Sequence, residues 1–230
     1  MAALPAERNE RLSAIGEMTA EFAHQVRTPL ASAMLYTAQL DTSTSEQKRV
    51  VEKIQGRLND LGRMVNDMLG FAAGARPVKE RILVGDLLDA VVRTIEPQLA
   101  PTTILTVRCD STAMSIMANK EALKGAILNL VSNAEQACVT NAAIELTARR
   151  YGDRVLISVG DNGPGIQSQC VGRLFEPFYT TRPEGTGLGL AVVQAVTRSH
   201  NGSVSVDTSG EGSCFTLDLP VLAVAGIANG

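Results

Sequence analysis

The chain has no tryptophan, and its eight aromatic residues are five Phe and three Tyr. A surface that grips single-stranded nucleic acid by stacking bases on aromatic rings is therefore not to be expected. A formal net charge of −3 leaves no basic footprint for a phosphate backbone either, so nucleic acid is excluded as a partner. The four cysteines, Cys109, Cys138, Cys170 and Cys214, lie far apart without a C-x-x-C pair. That spacing argues against a zinc site and a disulfide framework and suits a reducing cytoplasm. No apolar run approaches the roughly 18–20 residues of a membrane span, and the start of the chain lacks the apolar core of a signal peptide. The expectation is a soluble, cytoplasmic piece, and the same composition suits one cut from a longer membrane-attached protein. Histidine is scarce as well, with two in 230 residues, His24 and His200.

What is present divides in two. Over residues 8–75 the apolar positions step by three and four, through Leu12, Ile15, Thr19, Phe22, Val26, Pro29, Ala33, Tyr36 and Leu40. This is the spacing of a helix packed along a coiled-coil-like seam. Residues 41–45 supply turn and cap formers, with Ser43/Glu46 and Thr44/Gln47 both spaced as capping boxes. A second helix follows through Val51, Ile54, Leu58, Leu61, Val65, Met68 and Ala72, and closes before Pro77. Two such helices make an antiparallel hairpin. Its extra apolar positions, such as Met18, Leu30, Leu35, Met64 and Leu69, are covered if two chains form a dimeric four-helix bundle. A monomeric hairpin packed on the second domain is the alternative.

His24 falls off the seam, between Phe22 and Val26, where a solvated surface histidine is the plain reading. Pro29 argues for more. It removes the N–H that would pair with the Gln25 carbonyl and kinks the helix one turn beyond His24. That costs about 3 kcal/mol in a helix interior. Thr28, four residues on, shares the face of His24.

Over residues 80–220 helical and alternating segments mix. Helices are expected at 85–99, 120–137 (capped by Asn119) and 188–198. Strands are expected at 103–108, 114–117, 144–149, 155–160, 203–207 and 213–219, the last two forming a hairpin around residues 209–212. This reads as a two-layer α/β sandwich with a largely antiparallel sheet. Residues 221–230 are a small apolar tail left unassigned. Asn129 and Asn133 share one helix face, as neutral Mg2+ ligands or as surface polarity. Asp161-Asn-Gly-Pro-Gly165 ends a strand, either as a plain turn or as a ligand turn with a carboxylate to accept from an exocyclic amine. Gly185-Thr-Gly-Leu-Gly189 opens a helix, where free N–H groups suit phosphates. It fits neither the P-loop nor the dinucleotide fingerprint. The irregular stretch between these turns reads as a lid, anchored by Phe175 and Phe178, with Arg182 near the phosphates.

In order and spacing these segments resemble the boxes of sensor histidine kinases. His24 to Leu30 resembles the H box, Asn129 to Ala134 the N box, and Asp161 to Gly165 the G1 box. Leu174 to Phe178 is similar to the F box and Gly185 to Gly189 to the G2 box, while His200-Asn-Gly202 lies where the family often has His-Gly-Gly. The resemblance spans about residues 12–220 and is strongest to kinases paired with NtrC-type regulators, flagellar regulatory sensor kinases among them. It implies a dimerisation and phosphotransfer hairpin joined to a GHKL (Bergerat) ATP-binding domain, in a homodimer that serves a response regulator receiver domain. It further implies that ATP, with Mg2+, gives its γ-phosphoryl group to His24. Asn133 would hold the metal, with Asn129 lining the same site. Asp161, Gly163 and Gly165 would form the adenine pocket. Phe175, Arg182, Thr186, Gly187, Leu188 and Gly189 would line the lid and the phosphates. Related ATPases carry a glutamate base at the position of Asn129; an amide cannot take a proton from water, which disfavours hydrolysis. Thr28 resembles the residue that positions water for dephosphorylating the regulator. Gln25 departs from the acid common after the phosphoacceptor, which leaves open a nucleotide-binding scaffold and phosphatase with weak kinase activity.

Overall fold

The computed structural model describes residues 33–37, 40, 44–51, 53–54, 58, 61–62, 78–111, 113–138, 140–182 and 186–222. The chain divides into two units, Met1–Ala75 and Arg76–Gly230. In the first, residues 33–37 and 45–51 are helical. The second of these helices opens on the Thr44/Gln47 box. The Gln47 N–H donates to Thr44 Oγ1 at 3.2 Å, and the Thr44 N–H to Gln47 Oε1 at 3.1 Å. Two of the helix's orphan donors are thereby satisfied reciprocally. Ser43, the other expected cap, lies outside the described residues, as do His24, Gln25 and Thr28. Tyr36 and Leu40, which the heptad places on the seam, are exposed at 70% and 50% in the single chain.

The second unit runs β1 (Glu80–Leu83), α1 (Val84–Ile95), a 3-10 turn (Glu96–Gln98), β2 (Ile104–Cys109), β3 (Ser115–Ala118) and α2 (Lys120–Ala137). It continues with β4 (Ala143–Tyr151), β5 (Arg154–Asp161), α3 (Ser168–Val171), α4 (Gly189–Ser199), β6 (Ser203–Ser209) and β7 (Gly212–Pro220). The main sheet has the order β2-β4-β5-β7-β6, and β1 pairs separately with β3. Among the described residues only the β2–β4 pairing is parallel. Helices α2 and α4 pack against each other on one face of the main sheet, and α1 packs against α2 and β1.

Alternation along the strands explains this two-layer arrangement. Leu146, Val159, Phe215 and Val206 fall in register across four strands and turn towards the helices, as do Ala148, Ile157, Leu217 and Val204 on the same four strands. The next row, Thr147, Ser158, Thr216 and Ser205, faces away from them and is polar. A period of two puts one face in the core and the other in water.

α1 ends four residues earlier than its pattern implies. Pro97 tightens the chain into the 3-10 turn, and Glu135 Oε1 then takes the Ala100 N–H at 2.8 Å and Thr103 Oγ1 at 3.1 Å. α2 matches its expected span, with Asn119 Oδ1 accepting from the Ala122 N–H at 2.8 Å. Past α4, Asn201 takes φ 56 and closes a Schellman motif, in which the Gly202 N–H reaches the Thr197 carbonyl and the Asn201 N–H the Arg198 carbonyl, each at 3.0 Å. Asn tolerates this left-handed position nearly as glycine does, so the turn forms without the usual second residue Gly. Among the described residues no helix is long and apolar enough to cross a membrane.

A sheet covered on one face makes a paired expectation. Leu217→Ala, at a fully buried position, should lower the unfolding free energy by about 2–5 kcal/mol in urea denaturation. Ile104→Ala, 66% exposed on the edge strand, should cost less than about 1 kcal/mol. Equal losses would contradict the one-sided core.

Candidate functional site

The site is built on α2. Its buried stripe, Leu123, Ala126, Ile127, Leu130, Val131 and Ala134, fixes the rotation of the helix on the sheet. At 100° per residue, this leaves Asn129, Asn133 and Gln136 off the sheet-facing stripe. A Cβ on Gly189, the first residue of α4, would lie 3.9 Å from the side-chain amides of both Asn129 and Asn133. No other described residue hydrogen-bonds either amide, so their oxygens remain available as neutral donors to a hydrated divalent cation.

The turn after β5 packs on the C-terminal end of the same helix. A Cβ on Gly163 would meet Ala137 Cβ and the Ala137 carbonyl at 3.3 Å, and Asp161 Oδ1 at 2.9 Å. Asp161 Oδ1 accepts from the Gly163 N–H at 2.8 Å and from the Ser213 N–H at 3.3 Å. Those two bonds fix the carboxylate plane and leave Oδ2 without a partner among the described residues. Gly165 has φ +72, and its missing Cβ leaves room for the Ser209 carbonyl, which would stand 1.7 Å away. Thr208 Oγ1 takes the Ile166 N–H at 2.9 Å and lies 3.0 Å from Ser213 Oγ. Asp161, Ser213 and Thr208 thus form one polar row across β5, β7 and β6, on the face the helices cover. Cys138, next along from α2, donates Sγ–H to Asn162 Oδ1 and the Ala134 carbonyl. Burial, with the Asp161 charge adding to it, pushes its thiol pKa up, so it stays protonated.

The start of α4 and the irregular stretch before it are joined by backbone. The Phe178 N–H donates to the Gly187 carbonyl at 2.9 Å. Gly187 has φ +68, and a Cβ there would sit 2.4 Å from the Phe178 carbonyl carbon. Phe178 itself has φ 66, an uncommon state for a bulky residue. Its ring is 69% exposed, which corrects the expectation that it anchors this stretch: the backbone does so. Phe175 is half-buried. Arg182 supplies the second fastening, donating Nη1 to Gln136 Oε1 at 2.7 Å and Nη2 to the Asn133 carbonyl at 3.1 Å. Burial lowers its pKa and the Asp161 carboxylate opposes that shift. The Leu188 N–H is held by Thr186 Oγ1 at 3.1 Å. The first N–H groups of α4 beyond it have no intrahelical acceptor, which makes this end a ready anion site.

Comparison with known proteins assigns the family. Residues 118–223 match the family described as "Histidine kinase-, DNA gyrase B-, and HSP90-like ATPase", and residues 14–74 match "His Kinase A (phospho-acceptor) domain". The chain belongs to the histidine kinases. It is similar to the sensor protein kinase FleS of Pseudomonas aeruginosa, 39% identical over 224 residues, covering 95% of this chain and 55% of that one. Among solved structures, full-length ShkA in complex with AMPPNP aligns at TM-score 0.73 and 28% identity, over 91% of this chain and 47% of that one. The histidine kinase ThkA in complex with the response regulator TrrA aligns at 0.67 and 25%, over 94% and 65%. The chain spans about half the length of the curated relatives it matches.

In this histidine kinase, α2 gathers Asn129, Asn133, the Gly163 turn, Arg182 and the Gly187–Gly189 start of α4. Gly185 lies outside the described residues. Three participants escaped the sequence reading. Gln136 holds Arg182, and Thr208 and Ser213 border Asp161. The last two carry a legible signal, since each is a hydroxyl residue whose neighbour two residues further into its strand, Val206 or Phe215, is apolar.

Gly187→Ala combines a left-handed backbone, costing about 1–2 kcal/mol, with a clash on Phe178. It should speed tryptic cleavage after Arg173 by about tenfold or more, with the circular-dichroism melt nearly unchanged. Gly172→Ala, with nothing within 4 Å of the added methyl, is the matched control and should cleave as the parent does.

Proposed function

We propose that the chain is the ATP-dependent transmitter of a two-component system: it phosphorylates itself on His24 and passes the phosphoryl group to an aspartate of a response regulator, of the NtrC type. The carrying observation is the pair of unspent amides, Asn129 and Asn133, set against the N-terminus of α4 at Gly189. In this reading Asn133, with Asn129 beside it, holds Mg2+. When bound there the ion neutralises charge on the phosphates as the γ-group leaves. The α4 backbone and Thr186 to Gly189 hold the phosphate chain. Asp161 Oδ2 accepts from the adenine amino group, its orientation already set by the two N–H donors on Oδ1. Arg182 and Phe175 belong to the lid over that nucleotide. These roles suit the ATPase family matched over residues 118–223 and the AMPPNP held by ShkA.

The chemistry is an in-line displacement. An imidazole nitrogen of His24 forms the new P–N bond as the bond from the γ-phosphorus to the bridging oxygen breaks, ADP departs, and the ring gives up its N–H proton. Gln25 orients that N–H through its carbonyl but cannot keep a proton at neutral pH. Glu21, three residues earlier on the same face, is the nearest acid. Asn129 supplies no base for water, which favours transfer over hydrolysis. Thr28 holds water for the reverse task, removing phosphate from the regulator. The exposed Tyr36, Leu40, Ile54 and Leu61 support a homodimer closed through the first unit, and ThkA, crystallised with TrrA, supports a regulator as partner.

Labelling with ATP carrying γ-32P tests the reading. The parent should gain acid-labile, base-stable label, and His24→Gln and Asp161→Asn should each lose more than about 90% of it, a loss on the order of the 1.4 kcal/mol that equals tenfold. Thr28→Ala should label normally yet dephosphorylate the regulator more slowly, and Gln25→Glu should label faster. Undiminished label in His24→Gln would refute the assignment of the acceptor.

A further inference from the structure

His200 is 2% exposed, and the nucleotide chemistry leaves it without a task. Its position follows from the Schellman motif that ends α4, which places it at the C-cap with its ring turned onto α2. Nε2 lies 2.9 Å from the Asn119 N–H and must accept from it, because a backbone amide can only donate. That assigns the proton to Nδ1, which donates to the Val196 carbonyl at 2.7 Å, with Ser199 Oγ 3.1 Å away. The ring is thus a neutral strut between two helix ends, and Asn119 is also the residue whose side chain caps α2.

The opposite ends of the same two helices carry the candidate site. From His200 back to Gly189 is eleven residues of α4, and from Asn119 to Asn129 ten residues of α2. At 1.5 Å per residue these are about 16 and 15 Å. The helices therefore run antiparallel in step, with His200 and Asn119 meeting at one end and Gly189 meeting Asn129 and Asn133 at the other.

We propose that His200 is a positioning residue of the nucleotide site: by bonding the N-cap of α2 from the C-cap of α4, it sets the axial register of α4 and hence the spacing between the phosphate-binding start of α4 and Asn129 and Asn133. This rests on reading that end as the nucleotide site. Protonation of Nε2 removes the acceptor, so the strut also makes the register pH-dependent. Burial holds the imidazole pKa below the usual histidine range. The Val196 carbonyl opposes that shift, and the Lys79 ammonium, from the segment before β1, reinforces it. The remaining groups on the ring, the Asn119 amide and the Ser199 hydroxyl, are neutral. The sign follows: the bond is intact above the ordinary histidine pKa of about 6.5 and is lost as pH falls through the lower value of the folded state.

The test is binding of AMPPNP with Mg2+ to the whole chain by calorimetry at pH 7.5 and at falling pH, for the parent, His200→Gln and His200→Leu. Gln presents an uncharged acceptor at the reach of Nε2. It should bind within about threefold of the parent at pH 7.5, while Leu, still folded by circular dichroism, binds about tenfold or more weakly. Where the His200 ring signal in NMR shows Nε2 protonated, the parent should lose several-fold relative to Gln, a ratio that cancels titration of the ligand. If Leu is folded and binds as the parent does, or if parent and Gln change alike once the His200 ring is protonated, the positioning role is overturned. If Leu fails to fold, His200→Asn, whose shorter amide falls short of the Asn119 N–H, takes its place with the same two outcomes. No binding by the parent would overturn the nucleotide site itself, and the positioning role with it.

Discussion

The structure of the second unit depends on the burial of one stripe of α2. Leu123, Ile127, Leu130 and Val131 are each at most 1% exposed, and burying such side chains is worth about 1.5–3 kcal/mol apiece. That stripe cannot be turned away from the sheet without forfeiting the core. Everything off the stripe is consequently fixed in direction, and the polar residues at 129, 133 and 136 are presented where α4 and the Arg182 segment meet them. The energy that orients the site is thus hydrophobic and is spent several residues away from the groups it orients.

Glycine does the complementary work. Where three loops converge on the polar side and the C-terminal end of α2, side chains would fill the space the backbones need. Gly163 lies against Ala137, Gly165 against Ser209 and Gly187 against Phe178, and the last two also need a left-handed backbone. Loops held this closely to the helix and to one another yield a site defined by a few short contacts, among them the 2.7 Å bond from Arg182 to Gln136.

Much of this was legible in the chain. The Asn119 cap and the 3.6-residue pattern delimit α2 to the residue, and the Thr44/Gln47 box marks a helix start because its chemistry is local. What was not legible depends on partners far away in sequence. β1 has a single buried residue, Ile82, and exists by pairing with β3, more than thirty residues on. Phe178 reads as an anchor because phenylalanine is apolar, whereas its backbone is what the neighbouring turn holds. His200 reads as part of a turn, and its ring bond to Asn119 spans 81 residues.

The central claim is that the face of the sheet carrying the helices, around the C-terminal half of α2, receives the nucleotide. An open hollow of about 730 Å3 offers a rival: it shares Asp161, Thr208 and Ser213 with the candidate site but extends away from α2 along Thr106, Arg108, Glu145 and Cys214. Hydrogen–deuterium exchange on the whole chain, with and without AMPPNP and Mg2+, separates the two. The account predicts slower exchange in residues 129–137, 161–165, 174–182 and 186–191, with β2 and the outward row of β4 unchanged. Protection of 104–108 and 143–147 with no change in α2 would contradict it.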